Sequence, residues 1–84
     1  MQVPSTVVHP ALFTALKNWR NTRADELDLP VYQILPQKSL HEIVNVLPRN
    51  KEALKKIKGI GKVKIRLFGA EIIEIVNAYL TENP

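Results

Sequence analysis

Apolar residues recur at intervals of three and four along most of this chain, and no stretch alternates as a strand does. Leu12, Leu16, Trp19 and Leu27, flanked by Phe13 and Ala24, predict a first helix running to about Asp28. Pro10 suits its first position, where a missing N–H loses no hydrogen bond, and Pro30 is expected to stop it. Arg20 and Arg23 fall inside the apolar stripe, which places their stems over the core edge and their heads against acids such as Glu26. Val31 to Lys38, bracketed by Pro30 and Pro36, reads as a connecting loop carrying Tyr32 and Ile34.

Ser39-Leu-His-Glu42 has the spacing of a capping box. It predicts a short second helix starting at Ser39, displaying Leu40, Ile43, Val44 and Leu47, and ending at Pro48. Asn50 is placed to cap a third helix from Lys51 to about Lys58, with Ala53, Leu54 and Ile57 inward. Gly59 is positioned as the left-handed residue that closes it. A fourth helix is predicted from about Lys62 to Leu80 on the stripe Ile65, Phe68, Ile72, Ile75/Val76 and Tyr79. Residues 1–8 read as an extended lead-in, 9–81 as one helical domain and 82–84 as a tail. The expected fold is all-α, a small compact bundle of four to five helices with a helix–hairpin–helix-like element.

Charge is far more segregated than the overall +4 suggests. From Arg49 to Arg66 there are eight basic residues and one acid, a net +7, whereas the rest of the chain carries −3. A basic block inside a folded segment either faces a polyanion, most often nucleic acid, or is an ordinary solvated helix face. The block surrounds Gly59-Ile60-Gly61-Lys62, where one helix closes and the next opens. Free backbone N–H groups and the positive dipole end at Gly61 and Lys62 suit a phosphate oxygen; a tight interhelical turn accounts equally for the same residues. Helical phase groups Lys55 and Lys58 on the third helix with Lys62 and Arg66 on the fourth as the phosphate-facing set. Lys51 and Lys64 form its rim, with Lys64 in line with Glu71; Arg20 either extends that rim or stays over the core edge. Tyr32 either stacks on an unpaired base or packs over the core. Val63, Leu67 and Ala70 make an apolar strip opposite the main stripe, either buried under the N-terminal segment or exposed for docking.

Several chemistries are excluded. The chain has no cysteine, so it holds no disulfide, thiol nucleophile or Cys-ligated metal. His9 and His41 are not a metal-spaced pair, and no cofactor is expected. No Ser–His–acid set is placed by the helices, and Gly59-Ile-Gly61-Lys62 lacks the length and hydroxyl of a phosphate-binding P-loop. No apolar run is long enough for a membrane span, so a monomeric cytoplasmic domain, in the bacterial cytosol or at the nucleoid, is expected.

The ordered set Leu12-Phe13…Leu16…Trp19-Arg20…Ala24, Leu29-Pro30-Val31-Tyr32-Gln33-Ile34, Leu40-His41-Glu42-Ile43, Leu47-Pro48 and Leu54…Ile57-Lys58-Gly59-Ile60-Gly61…Lys64…Phe68-Gly69…Ile72 resembles the helicase-and-RNase-D C-terminal (HRDC) domain. The resemblance extends from His9 to Leu80 and implies a bundle of about five helices, with a short extra turn at Tyr32. It also implies a non-catalytic module at the C-terminal end of a RecQ-type ATP-dependent DNA helicase or an RNase D-type exonuclease. Its partner would be nucleic acid, single-stranded or partially duplex DNA, met through Tyr32 and the basic hairpin. The alternative is a protein-interaction module docking on a helicase core or partner protein through Val63, Leu67 and the acidic residues Asp25, Glu26 and Asp28. Two positions depart from the family pattern. His9 is a poor cap for the first helix, and Phe68 stands where a tyrosine is frequent.

Overall fold

The computed structural model describes residues 8–83; the expected lead-in, Val8 apart, lies outside them, as does the last residue of the tail. Helix α1 spans Pro10–Leu27. Pro10 opens it as expected, and His9 makes no side-chain cap. His9 instead fixes the helix start from the side: its Nδ1 lies 2.8 Å from the Tyr79 hydroxyl, and the two rings meet edge to face. The helix ends before Pro30 is reached. Asp28 turns left-handed at φ 55°, and the Leu29 N–H returns to the Ala24 carbonyl at 2.9 Å, which completes a Schellman cap. Leu27, expected on the buried stripe, is 44% exposed because the chain departs at this cap.

The segment read from periodicity as a loop holds a one-turn helix, α2, over Val31–Ile34. This is the extra turn that the family resemblance implied. Helix α3 spans Gln37–Val46 and starts two residues before the expected capping box. Pro36 is its N-cap, so Ser39 lies inside the first turn. Its hydroxyl is turned away from the cap and bonds across to the Lys58 carbonyl at 2.7 Å. The helix terminates at Leu47, left-handed at φ 57°, just before buried Pro48. A leucine in that conformation carries about 1–2 kcal/mol of strain.

Helix α4 is short, Lys51–Lys55, and Asn50 caps it as expected, with Oδ1 accepting from the Ala53 N–H at 2.8 Å. The predicted extension to Lys58 is a series of tight turns, Ile57 N–H to Leu54 O at 3.0 Å and Ile60 N–H to Ile57 O at 3.2 Å. Helix α5 then begins as Lys62–Lys64, passes through a π segment over Ile65–Gly69 and continues as Ala70–Glu82. Its outward face changes phase inside that segment, because a π turn holds one more residue than an α turn.

The core is one cluster. Leu12, Phe13, Leu16 and Ala24 of α1 meet Ile34, Leu35, Leu40, Ile43 and Val44 on one side and Leu54, Ile57, Ile60, Phe68, Ile72 and Val76 on the other. Each fully buried Leu or Ile contributes about 1.5–3 kcal/mol. Helix α1 packs on α2, α3 and the C-terminal part of α5, while α4 packs on the π segment. Trp19, expected in the core, lies at its edge and donates from Nε1 to Glu71 at 2.9 Å.

Candidate nucleic-acid interface

The hairpin joining α4 to α5 is fixed from two sides. Gly59 takes φ 91°, a backbone conformation that favours glycine. A side chain there would also collide with the Ser39 hydroxyl. Ile60 is buried and anchors the turn in the core. Gly61 is different: it is extended, with φ −98°, and a Cβ at this position would meet nothing within 4 Å. No side chain caps α5. The first α5 hydrogen bond is made by Ile65 N–H to the Gly61 carbonyl at 3.0 Å, so the amides of Lys62, Val63 and Lys64 begin the helix without i−4 partners.

Around this turn stand the predicted cations. Lys51, Lys55, Lys58, Lys62 and Arg66 are exposed. Lys55 is on α4 and Arg66 on the π segment that packs against it. Lys62 lies one turn before Arg66, and Lys58 sits in the turn itself. The ion pairs resolved among the described residues involve Arg23 and leave this basic group without carboxylate partners. The helical phase invoked for Lys58 does not apply, since α4 ends before it; its carbonyl is held by Ser39 and it lines a pocket with Lys38 and Glu42 of α3.

Two rim assignments are altered. Arg20 is 5% exposed and structural. Its Nη1 donates to the Leu35 carbonyl at 3.1 Å and to Gln37 Oε1 at 3.2 Å, and burial pushes its guanidinium below the ordinary range. Such a side chain is withdrawn from the surface. Lys64 is half-buried, and desolvation pushes its ammonium down. It does not line up with Glu71, because the π segment intervenes; Glu71 faces α1, accepting from Trp19 and lying 3.6 Å from Arg23 Nε. Arg23 behaves as expected, pairing with Glu26 at 3.0 Å, and also covers the Phe68 ring at 5.5 Å.

Tyr32 is 63% exposed on α2, beside exposed Leu29 and Val31. Val63, Leu67 and Ala70 are likewise exposed. Sequence spacing overlooked Lys38, which lines a shallow pocket of about 210 Å³ with Lys58, Ser39, Gly59, Pro36 and Glu42. Its only sequence signal was its place next to Ser39, which the capping-box reading concealed. Among the described residues no cluster of His, Asp or Glu could hold a metal ion, and no helix is long and apolar enough to cross a membrane.

The chain itself matches the HRDC domain family over residues 9–76. The chain belongs to the HRDC family. It is 33% identical over 69 residues to an ATP-dependent DNA helicase UvrD2 of Mycobacterium tuberculosis, covering 82% of this chain and 10% of that protein. It is 38% identical over 74 residues to the ATP-dependent DNA helicase Q-like 4B of Arabidopsis thaliana, covering 86% of this chain and 6% of that protein. The HRDC domain is a small non-catalytic module, and here it spans a tenth or less of the helicases it matches.

Proposed function

We propose that this HRDC domain is an auxiliary nucleic-acid-binding module of an ATP-dependent DNA helicase. It holds single-stranded or partially duplex DNA through Lys55, Lys58, Lys62 and Arg66. Lys51 and Lys64 stand at the edge of that group. The observation that carries this reading is the group of exposed cations around the hairpin, left without carboxylate partners among the described residues. Uncompensated charge of one sign on a rigid turn favours a polyanion. The amides at the start of α5 add donors for a phosphate oxygen, and the open space over Gly61 lets it approach. Tyr32 offers an exposed ring for stacking on an unpaired base.

A few phosphate contacts on so small a domain give weak, salt-dependent binding, with Kd on the order of 10⁻⁴–10⁻⁶ M. Phosphate contacts carry no sequence information, so selectivity among sequences is low. Titration of single-stranded and duplex oligonucleotides at low salt, followed residue by residue by NMR, tests the proposal. Shifts should concentrate on the hairpin and vanish in Lys58→Glu/Lys62→Glu. A flat titration, or one indifferent to that charge reversal, leaves protein docking as the better account.

A further inference from the structure

Val63 and Leu67 are 57% and 54% exposed, one helical turn apart near the start of α5. Neither belongs to the core cluster or to the half-buried residues packed on it. A single exposed aliphatic residue is ordinary on any surface. Two in register, hemmed by cations, form a surface of mixed character. Arg66 lies three residues beyond Val63, Lys64 three before Leu67, and Lys62 directly before Val63. Lys64 is the most telling of the three: it is half-buried, and its ammonium is desolvated with no carboxylate partner among the described residues. An anion bound at this position would offset that cost.

A duplex presents phosphates and sugars to such a surface while its base faces stay stacked inside, so the aliphatic side chains gain nothing from it. An unpaired strand offers both chemistries together, charged phosphates and apolar base faces at the spacing of one nucleotide. We infer that Val63 and Leu67 form a ridge against which the bases of an unpaired strand lie, with phosphates held by Lys62, Lys64 and Arg66. The ridge makes α5 the element that distinguishes unpaired from paired DNA. This inference rests on the nucleic-acid reading above.

The test uses the whole domain and the variant Val63→Ser/Leu67→Ser. Both positions are exposed, and a thermal melt verifies folding. Binding is followed by fluorescence anisotropy on three probes: a short oligothymidine strand, an equally long abasic strand and a blunt duplex. The variant should bind oligothymidine about fivefold more weakly than the parent. It should bind the abasic strand and the duplex as the parent does, and its salt dependence should be unchanged. Equal affinity of parent and variant for oligothymidine, with binding still abolished by Lys62→Glu, overturns the ridge and leaves the nucleic-acid reading standing. Absence of binding by the parent to all three probes at low salt overturns both.

Discussion

The Ser39 hydroxyl donates to the Lys58 carbonyl at 2.7 Å, tying the first turn of α3 to the hairpin that launches α5. The same oxygen occupies the space that a side chain on Gly59 would need. Positions 39 and 59 are therefore coupled. Ser39→Ala should destabilise the domain by about 1–2 kcal/mol, the range for leaving a partly buried acceptor unpaired. Gly59→Ala should be more damaging, since it adds a collision to an unfavourable φ of 91°. In a double-mutant cycle by urea unfolding, Gly59→Ala should be less harmful in the Ser39→Ala background, where the colliding oxygen is gone. Additive effects would show that the bond and the close approach are independent.

Gly61 gives the opposite expectation. Its backbone is extended and the space over it is open. Gly61→Ala should therefore change stability by no more than about 0.5 kcal/mol. Binding to oligonucleotides should weaken, because the added methyl stands where a phosphate would approach the α5 amides. An anisotropy titration beside a thermal melt separates the two effects. Undiminished affinity would remove the hairpin backbone from the interface and leave the side chains alone in it.

Lys64 links stability to pH. Burial favours its neutral form in the folded state, so its folded pKa lies below the ordinary 10.5. Between those two values the unfolded chain binds more protons, and stability rises with pH across that window. Lys64→Met should lack this rise and should be more stable than the parent at neutral pH. It should also reduce the slope of log affinity against log salt by about 0.7 on a single strand, the loss of one phosphate contact. Urea unfolding at several alkaline pH values checks the first part and a salt titration the second.

Arg20 should affect stability and nothing else. Its bonds to Leu35 and Gln37 brace the segment between α2 and α3 from inside. Arg20→Ala should destabilise by about 2–3 kcal/mol through the abandoned carbonyl and the lost packing of its stem. The salt slope for oligonucleotide binding, measured well below the melting temperature, should stay unchanged. A shallower slope would return Arg20 to the rim.

The bundle was legible because its core is written at helical spacing: Leu12, Phe13, Leu16, Leu40, Ile43, Leu54, Phe68, Ile72 and Val76 are all buried. Asn50 and Gly59 were legible because each does a local job that few residues do. Ser39 was misread because its hydroxyl serves a residue far along the chain, and capping patterns register only near neighbours. α2 escaped the periodicity because four residues are too few to show one. Arg20 belongs to the family pattern and lies on the apolar stripe, both signs of burial, yet its charge also placed it among surface candidates. Charge density singles out the lysines of the hairpin as candidates, while Lys38, which lines a pocket with Lys58, sits outside that dense window.

The π segment over Ile65–Gly69 gives α5 two counting frames. Upstream of it, residue numbers map onto one set of directions around the axis; downstream, the same arithmetic points elsewhere. A residue gained or lost between Ile65 and Gly69 would rotate the cationic opening of the helix against its apolar anchor without altering either composition. Aligned HRDC sequences that differ by one residue in this stretch should therefore present their basic side chains to different sides of the bundle.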